Sequence, residues 1–175
     1  MAKYPSIGVG TRVTSTLLNA MLPDIYLKTG TTTRTSTTTL ADDPDLIVPV
    51  EANGIYLIQF WVKYSGTTTS SALIKTGWSV PSGTSFNRQV MGPGSGATDT
   101  GADNMSSHWG VHGSATAETY GGRGTTGNQL WLMEWATVTV GSTAGNVGFQ
   151  WAQNVSSATG STVNAGSYAR VERWG

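Results

Sequence analysis

The sequence predicts an all-β protein: a jelly-roll-like antiparallel β-sandwich with an N-terminal arm that carries one short helix. The chain has 23 glycines, seven tryptophans and many threonines among its 175 residues. Threonine and tryptophan suit a pleated sheet, whereas glycine weakens helix interiors. Short alternating segments are separated by turn signals about every eight to twelve residues, which is typical of sandwiches and jelly rolls. A chain of this length fits one domain.

The N-terminal arm, which we place at residues 1–28, contains the helical candidate at 11–22. Thr14 can cap this helix and Pro23 ends it. Such a short amphipathic helix is marginal in isolation, so its apolar face must dock either on its own domain or on a neighbouring subunit. In the second case the docking residues are Val13, Leu17, Leu18, Met21 and Leu22.

The remainder, residues 29–175, is predicted to be a β-sandwich domain. An acidic turn at Asp42–Asp45 precedes one strand, and the Asn53-Gly54 turn precedes a longer one. In that longer strand alternate residues from Tyr56 to Tyr64 form the best core face of the chain. The strands expected before residue 92 are 25–28, 33–40, 46–50, 56–64, 71–80 and 85–91.

Residues 92–127 form a long Gly-, Ser- and Thr-rich region, with short strands expected near 108–119. A region of this length on a compact domain is usually a functional or interface loop. The later strands are expected at 129–140, 147–152 and 168–174. The linker between the last two shows no hydrophobic period.

The strand at 129–140 is apolar on both faces in its first half. Leu130, Leu132, Ala136, Val138 and Val140 share one face, and the opposite face carries Trp131, Met133 and Trp135. A strand that is apolar on both sides is normally covered on both sides. Either the long loop or an identical neighbouring subunit covers the tryptophan face, and in the second case these three residues form an oligomer interface. Glu134, on the otherwise apolar face, indicates an edge, a bulge or a buried pair.

Charge and composition exclude several classes of function. Charged residues make up only 11% of the chain, against about 25% in ordinary domains, and ten basic residues balance ten acidic ones. Nucleic acid and anionic membranes are therefore poor partners. The absence of cysteine excludes disulfides and thiolate metal sites. No apolar stretch is long enough for a signal peptide or a membrane span, so we expect synthesis in the cytoplasm.

The candidate chemical motifs are weak, and we expect no catalytic residue, cofactor or metal. The G-x-G-x-x-G match at 122–127 lacks the strand before it and the helix after it that a dinucleotide site requires. His108 and His112, with Asp99 and Asp103 nearby, could hold a metal ion. Glycines beside the histidines disfavour a helix, and on a strand the two residues would lie about 13 Å apart. This spacing favours solvated or loop-anchoring histidines.

Several segments resemble small virion proteins of tailed phages that infect actinobacteria. Three of them lie before residue 60: the arm from Gly10 to Pro23, and the stretches Thr35–Asp43 and Leu46–Tyr56. The closing segments with this resemblance are Trp151-Ala-Gln-Asn, Ser156-Ser-Ala-Thr, Ala165-Gly-Ser-Tyr and Arg170-Val-Glu-Arg.

The resemblance implies an oligomeric virion component without enzyme activity, assembled in the host cytoplasm. Our leading interpretation is a capsid decoration (cement) protein, a homotrimer whose arm docks on the major capsid protein. The alternative is a minor tail or fibre protein that binds a host-surface glycan through the 92–127 loops. The seven tryptophans could stack on sugar rings, although tryptophan also fills β-sandwich cores and interfaces.

Overall fold

The computed structural model describes residues 7–19, 21–66, 73–95, 107–123 and 127–175. Across these residues the chain forms one five-residue helix and twelve strands, which pair antiparallel in two sheets. The sheets face each other as a sandwich, so the predicted fold class is confirmed. The helix α1 spans Ser15–Asn19. The strands are β1 Asp24–Leu27, β2 Thr32–Arg34, β3 Ala41–Val50, β4 Ile55–Ser65, β5 Ile74–Ser79, β6 Asn87–Pro93, β7 Ser107–Gly113, β8 Glu118–Tyr120, β9 Leu130–Thr139, β10 Gly145–Gln153, β11 Ser161–Val163 and β12 Tyr168–Arg173.

The larger sheet has the order β1-β12-β4-β9-β6-β7, and β11 adds to β4 and β2 at one end. Its centre is the long antiparallel pair of β4 and β9, which runs from Ile55 opposite Thr139 to Tyr64 opposite Leu130. The smaller sheet has the order β3-β10-β5-β8.

Aromatic side chains join the inner faces of the two sheets. The Phe60 ring of β4 lies 4.8 Å from Trp78 of β5 and 5.4 Å from Phe149 of β10. The alternate residues of β4 predicted as core, Tyr56 to Tyr64, are all buried. Alternation in the sequence therefore identified the inner face of the central strand.

The acidic turn predicted at Asp42–Asp45 is wrong, because these residues lie within β3. The segment is irregular: the pairing with β10 shifts register between Gly148 and Gln150. Pro44 is tolerated there because β3 is an edge strand and the ladder is interrupted.

The strand predicted at 33–40 is also corrected, since only Thr32–Arg34 is extended before β3 begins at Ala41. Ser36 has a φ of 52°, in the left-handed region, which interrupts an extended run. The linker before the last strand contains β11, whose three residues are too few to show a hydrophobic period.

Candidate functional site

The outer face of the larger sheet carries an apolar row that crosses all six strands of its main path. Successive members are direct cross-strand neighbours, so the row is set by the pairing register. We name this feature the apolar row; it consists of Leu27, Tyr168, Trp61, Met133, Met91 and Trp109. A second row, two residues further along each strand, mixes apolar and polar side chains. We name it the mixed row; it consists of Ile25, Arg170, Gln59, Trp135, Gln89 and Val111.

Much of this surface is open to solvent among the described residues. Trp109 and Val111 are 68% and 66% exposed at one edge, and Leu27 and Ile25 are 57% and 56% exposed at the other. Six strands about 4.8 Å apart and two rows about 7 Å apart give a surface of roughly 400 Å². The largest apolar patch on a monomeric protein is typically about 300–600 Å² and often serves binding. This face, which includes the polar members of the mixed row, is therefore a candidate interaction site.

Three near-parallel aromatic rings lie at the centre of the outer face. The Trp61 ring is 6.0 Å from that of Trp131 at an interplanar angle of 19°, and 6.1 Å from that of Tyr168 at 10°. They border a cavity of about 390 Å³ to which Lys63 and Gln129 add polar groups. Such rings can pack against another apolar surface or against the face of a sugar.

The three residues predicted as an oligomer interface all lie on this face. Trp131 is 50% exposed, whereas Met133 and Trp135 are half-buried at the middle of the apolar row and the mixed row. The described part of the 92–127 region includes β7, which extends the sheet beside β6. It therefore widens the outer face. Tyr168, Met91 and Trp109 were missed as members because no sequence signal reveals which strands are neighbours.

The arm residues predicted to dock on a capsid surround α1, which is shorter than the predicted 11–22 helix. The Thr14 hydroxyl caps it, accepting a hydrogen bond of 3.2 Å from the Leu17 backbone N–H. The helix contains no buried residue. Leu17 is half-buried, and the exposed members of the predicted set are Val13, Leu18, Met21 and Leu22.

The last residues of the predicted 1–28 arm belong to the sandwich, because β1 pairs with β12. The buried Lys28 ammonium lies 2.9 Å from Asp43 and 3.0 Å from Asp45 in β3. Asp43 also accepts a hydrogen bond of 3.1 Å from the indole N–H of Trp151 in β10. The described part of the arm that stands apart from the sheets therefore ends before Asp24.

Glu134 forms a buried pair, which decides between the alternatives of edge, bulge and pair. Its carboxylate lies 2.6 Å from Arg88 of β6. It also accepts hydrogen bonds from Thr76 and Trp78 of β5 and from Tyr120 of β8, at 2.5, 2.7 and 2.8 Å. Burial raises the pKa of Tyr120 and the nearby carboxylate raises it further, so the phenol stays a donor. This network connects the two sheets inside the core.

A second polar cluster lies at the edges of both sheets. His108 and His112 of β7 direct ring nitrogens at the Glu118 carboxylate of β8, over 3.2 Å from Nε2 and 2.8 Å from Nδ1 respectively. The expected separation of about 13 Å concerns the backbone, and the ring centroids are only 6.0 Å apart. They converge because Gly110, between them, leaves space: a Cβ there would lie 2.5 Å from His112 Nε2.

Glu118 could not be recognised from the sequence, because β8 has only three residues and its neighbours are set by tertiary contacts. Asp99 and Asp103, considered with the histidines, lie outside the described residues, as does part of the G-x-G-x-x-G match at 122–127. Gly92, the first residue of the predicted 92–127 loop region, instead lies in β6, where a Cβ would be 2.8 Å from the Tyr120 ring. Its lack of a side chain serves close packing.

No protein-family model and no curated protein sequence matches this chain. It aligns with a chain from a structure of infectious bursal disease virus, Gt strain, at 8% identity and a TM-score of 0.20, covering 97% of this chain and 45% of that one. A chain from a VP2 subviral particle of the same virus aligns at 12% identity and a TM-score of 0.21, covering 95% and 45%. This chain thus spans less than half of each, and at these scores the alignments carry no argument about function.

Among the described residues, none of the helices has the length and apolar character that a membrane span requires.

Proposed function

We propose that this protein is a non-enzymatic structural component of a phage virion, a capsid decoration protein that associates with copies of itself and docks on the capsid shell. The observation that carries the proposal is the apolar row, which crosses the outer face of a sheet whose inner face is already sealed. The sequence resemblance to phage virion proteins is the reason for placing this assembly in a virion.

The composition of the outer face favours a second copy of the chain as its partner. Aromatic residues and methionine are enriched at the centres of protein interfaces, and here they lie in the middle of the outer face. Arg170 and Glu172 on this face pair with each other. The chain as a whole has a net charge of zero. The face therefore has little unpaired charge with which to attract a charged partner. A matching apolar surface suits it best.

The size of the outer face explains why an arm is needed as well. Roughly 400 Å² per copy is about half of the 800 Å² that each partner contributes to a standard stable interface. The exposed apolar side chains around α1 provide further surface. In a trimer placed on a local three-fold axis, three arms would bind the shell together, and the combined avidity would exceed the affinity of any single arm. This geometry suits a protein that is completed by a larger scaffold.

Sedimentation equilibrium of the full chain tests self-association. We expect a trimer at micromolar concentration, and we expect Met133→Lys, in the middle of the apolar row, to be monomeric. Thr137→Lys is the matched control, because Thr137 lies on the same strand and face but outside both rows. A wild-type chain that remains monomeric and does not co-sediment with capsids stripped of it would contradict the proposal.

A second candidate, a minor tail or fibre protein that binds a host glycan, is favoured by the parallel rings of Trp61, Trp131 and Tyr168 beside the 390 Å³ cavity. This location differs from the 92–127 loops that we predicted for such a role. A glycan array with the wild-type chain and with Trp61→Ala separates the two functions. Reproducible binding that the substitution abolishes favours the tail protein, whereas no binding together with a trimeric mass favours the decoration protein.

A further inference from the structure

We infer that His108, His112 and Glu118 form a binding site for a divalent transition-metal ion such as Zn²⁺, which fastens the edge strand β7 of the larger sheet to the edge strand β8 of the smaller one. The ligand atoms of these three residues lie within 4.8 Å of one another. Two imidazoles and one carboxylate match the ligand set of known zinc sites that keep a fourth position open. The inference is independent of the assembly role.

The geometry requires only a small adjustment to hold an ion. Ligands at about 2.1 Å from a tetrahedral ion lie about 3.4 Å from one another. Each ring nitrogen already lies close to one oxygen of the Glu118 carboxylate: His108 Nε2 is 3.2 Å from Oε2, and His112 Nδ1 is 2.8 Å from Oε1. The widest pair of ligand atoms, at up to 4.8 Å, must approach by about 1.4 Å, which side-chain rotation provides. Both histidine side chains remain partly exposed, at 22% and 25%, so an ion can reach them from solvent.

The surrounding groups leave the site with a negative charge for a cation. Arg88, the cross-strand neighbour of His112, is paired with Glu134 and donates to the Thr116 carbonyl at 2.6 Å. Its charge is thus balanced within the core, whereas the ion pairs of Glu118 among the described residues are those with the two histidines. His112 Nε2 is buried and has no hydrogen-bond partner among the described residues, so the ring is held at one nitrogen. An ion would fix this ring more firmly than that single hydrogen bond.

The ligand types select among ions. Imidazole nitrogen suits Zn²⁺, Ni²⁺, Co²⁺ and Cu²⁺, whereas Ca²⁺ and Mg²⁺ prefer sites made of oxygen ligands. We therefore expect binding of Zn²⁺ and Co²⁺ and no comparable binding of Ca²⁺. Because β7 and β8 belong to different sheets, a bound ion cross-links the sandwich at this edge. Since binding stabilises the folded state by mass action, the ion should raise the melting temperature.

Metal binding through imidazole or thiolate can be assigned to one site, because the whole chain contains two histidines and no cysteine. The untagged, chelator-treated protein is titrated with Co²⁺, and its visible absorption is recorded. Nitrogen coordination then reports this site alone. Zn²⁺ binding is measured by calorimetry, and the melting temperature is recorded with Zn²⁺, with Ca²⁺ and without metal. We expect a visible cobalt band that Zn²⁺ removes, and a rise of several degrees with Zn²⁺ only.

Three variants locate the site. His108→Ala and Glu118→Gln each remove a ligand and should weaken Zn²⁺ binding by more than about 100-fold, beyond the 10- to 100-fold typical of groups that only orient ligands. Gly110→Ala keeps all three ligands but fills the space beneath the His112 ring. It should weaken binding at least tenfold. Glu172→Gln, on the outer face, is the control and should bind normally.

The inference is overturned by two results. One is the absence of a cobalt band and of any Zn²⁺-dependent rise in melting temperature, which would leave the cluster as a hydrogen-bonded link between two strands. The other is Zn²⁺ binding that persists in all three variants, which would place the ion elsewhere. Circular dichroism checks that each variant is folded, and Gly110→Ala keeps the inference testable if ligand removal unfolds the chain.

Discussion

The two faces of β9 differ in how completely the rest of the chain buries them and pairs their polar groups. On the inner face, Glu134 is enclosed by donors from both sheets, and its apolar neighbours Leu132 and Ala136 are fully buried. On the outer face of the same strand, Trp131 is half exposed within a sheet-wide apolar surface. One strand can therefore contribute one face to the core of its own domain and leave the other face available to a partner. Substitutions on the inner face should therefore impair folding, and those on the outer face should impair assembly.

The largest effect is expected from Glu134→Gln. The substitution removes the charge that pairs with buried Arg88, and leaving a buried charge unpaired typically lowers the free energy of unfolding by about 3–5 kcal/mol. Urea denaturation followed by tryptophan fluorescence measures the loss. The control is Glu172→Gln, which removes a partly exposed partner of Arg170 and should cost less than about 1 kcal/mol. Equal losses in the two variants would erase the distinction between the faces.

A somewhat smaller loss is expected from Lys28→Met at the other end of the core. The substitution leaves the buried Asp43 carboxylate without its cation, but Trp151 and the Asp45 backbone N–H still donate to it. We therefore expect a decrease of about 2–3 kcal/mol in the free energy of unfolding. The control, Ile25→Ser, changes an exposed outer-face residue of the same segment and should leave the urea midpoint nearly unchanged. A Lys28→Met variant as stable as the wild type would mean that residues 24–28 are not part of the folded body.

The inner face could be predicted from the sequence, because alternation alone assigns the core residues of a strand once its limits are recognised. Tyr56 to Tyr64 and Leu132 to Val140 follow this pattern, and their core positions are buried. Glu134 interrupted the pattern, and its partner Arg88 lies 46 residues away along the chain. Alternation carries no information about such a pairing.

The outer face and the histidine cluster could be predicted only in part, for the same reason. Met133 has Trp61 on one side and Met91 on the other, because β4 and β6 flank β9. That neighbourhood is set by topology, which a single sequence does not specify. Glu118 meets His112 only when the edges of two different sheets come together. Local turn signals likewise misplaced Asp42–Asp45, since the irregular pairing with β10 keeps them in an edge strand.

A third substitution, Trp131→Ser, acts on the outer face. Because the side chain is 50% exposed and stacks only on Trp61 among the ring contacts described, the free energy of unfolding should change by less than about 1 kcal/mol. Loss of an aromatic anchor from an interface typically costs more, so the dissociation constant for self-association should rise about tenfold or more. Sedimentation equilibrium measures the association and urea denaturation measures the stability. A large loss of stability with unchanged association would show that the ring serves the fold.

The smallest effect on folding is expected from Leu18→Glu in α1, which contains no buried residue. The substitution should change neither the urea midpoint nor the trimer mass, yet it should abolish binding to capsids that lack the protein, because it places a charge in the exposed apolar set around the helix. Thr16→Glu is the matched control: it adds the same charge two residues away, on the opposite side of the helix. If Leu18→Glu instead lowered stability, the arm would pack on its own sandwich and would be unavailable to the shell. The helix would then serve the fold of its own domain, as the inner face of β9 does, and would not serve binding to a partner.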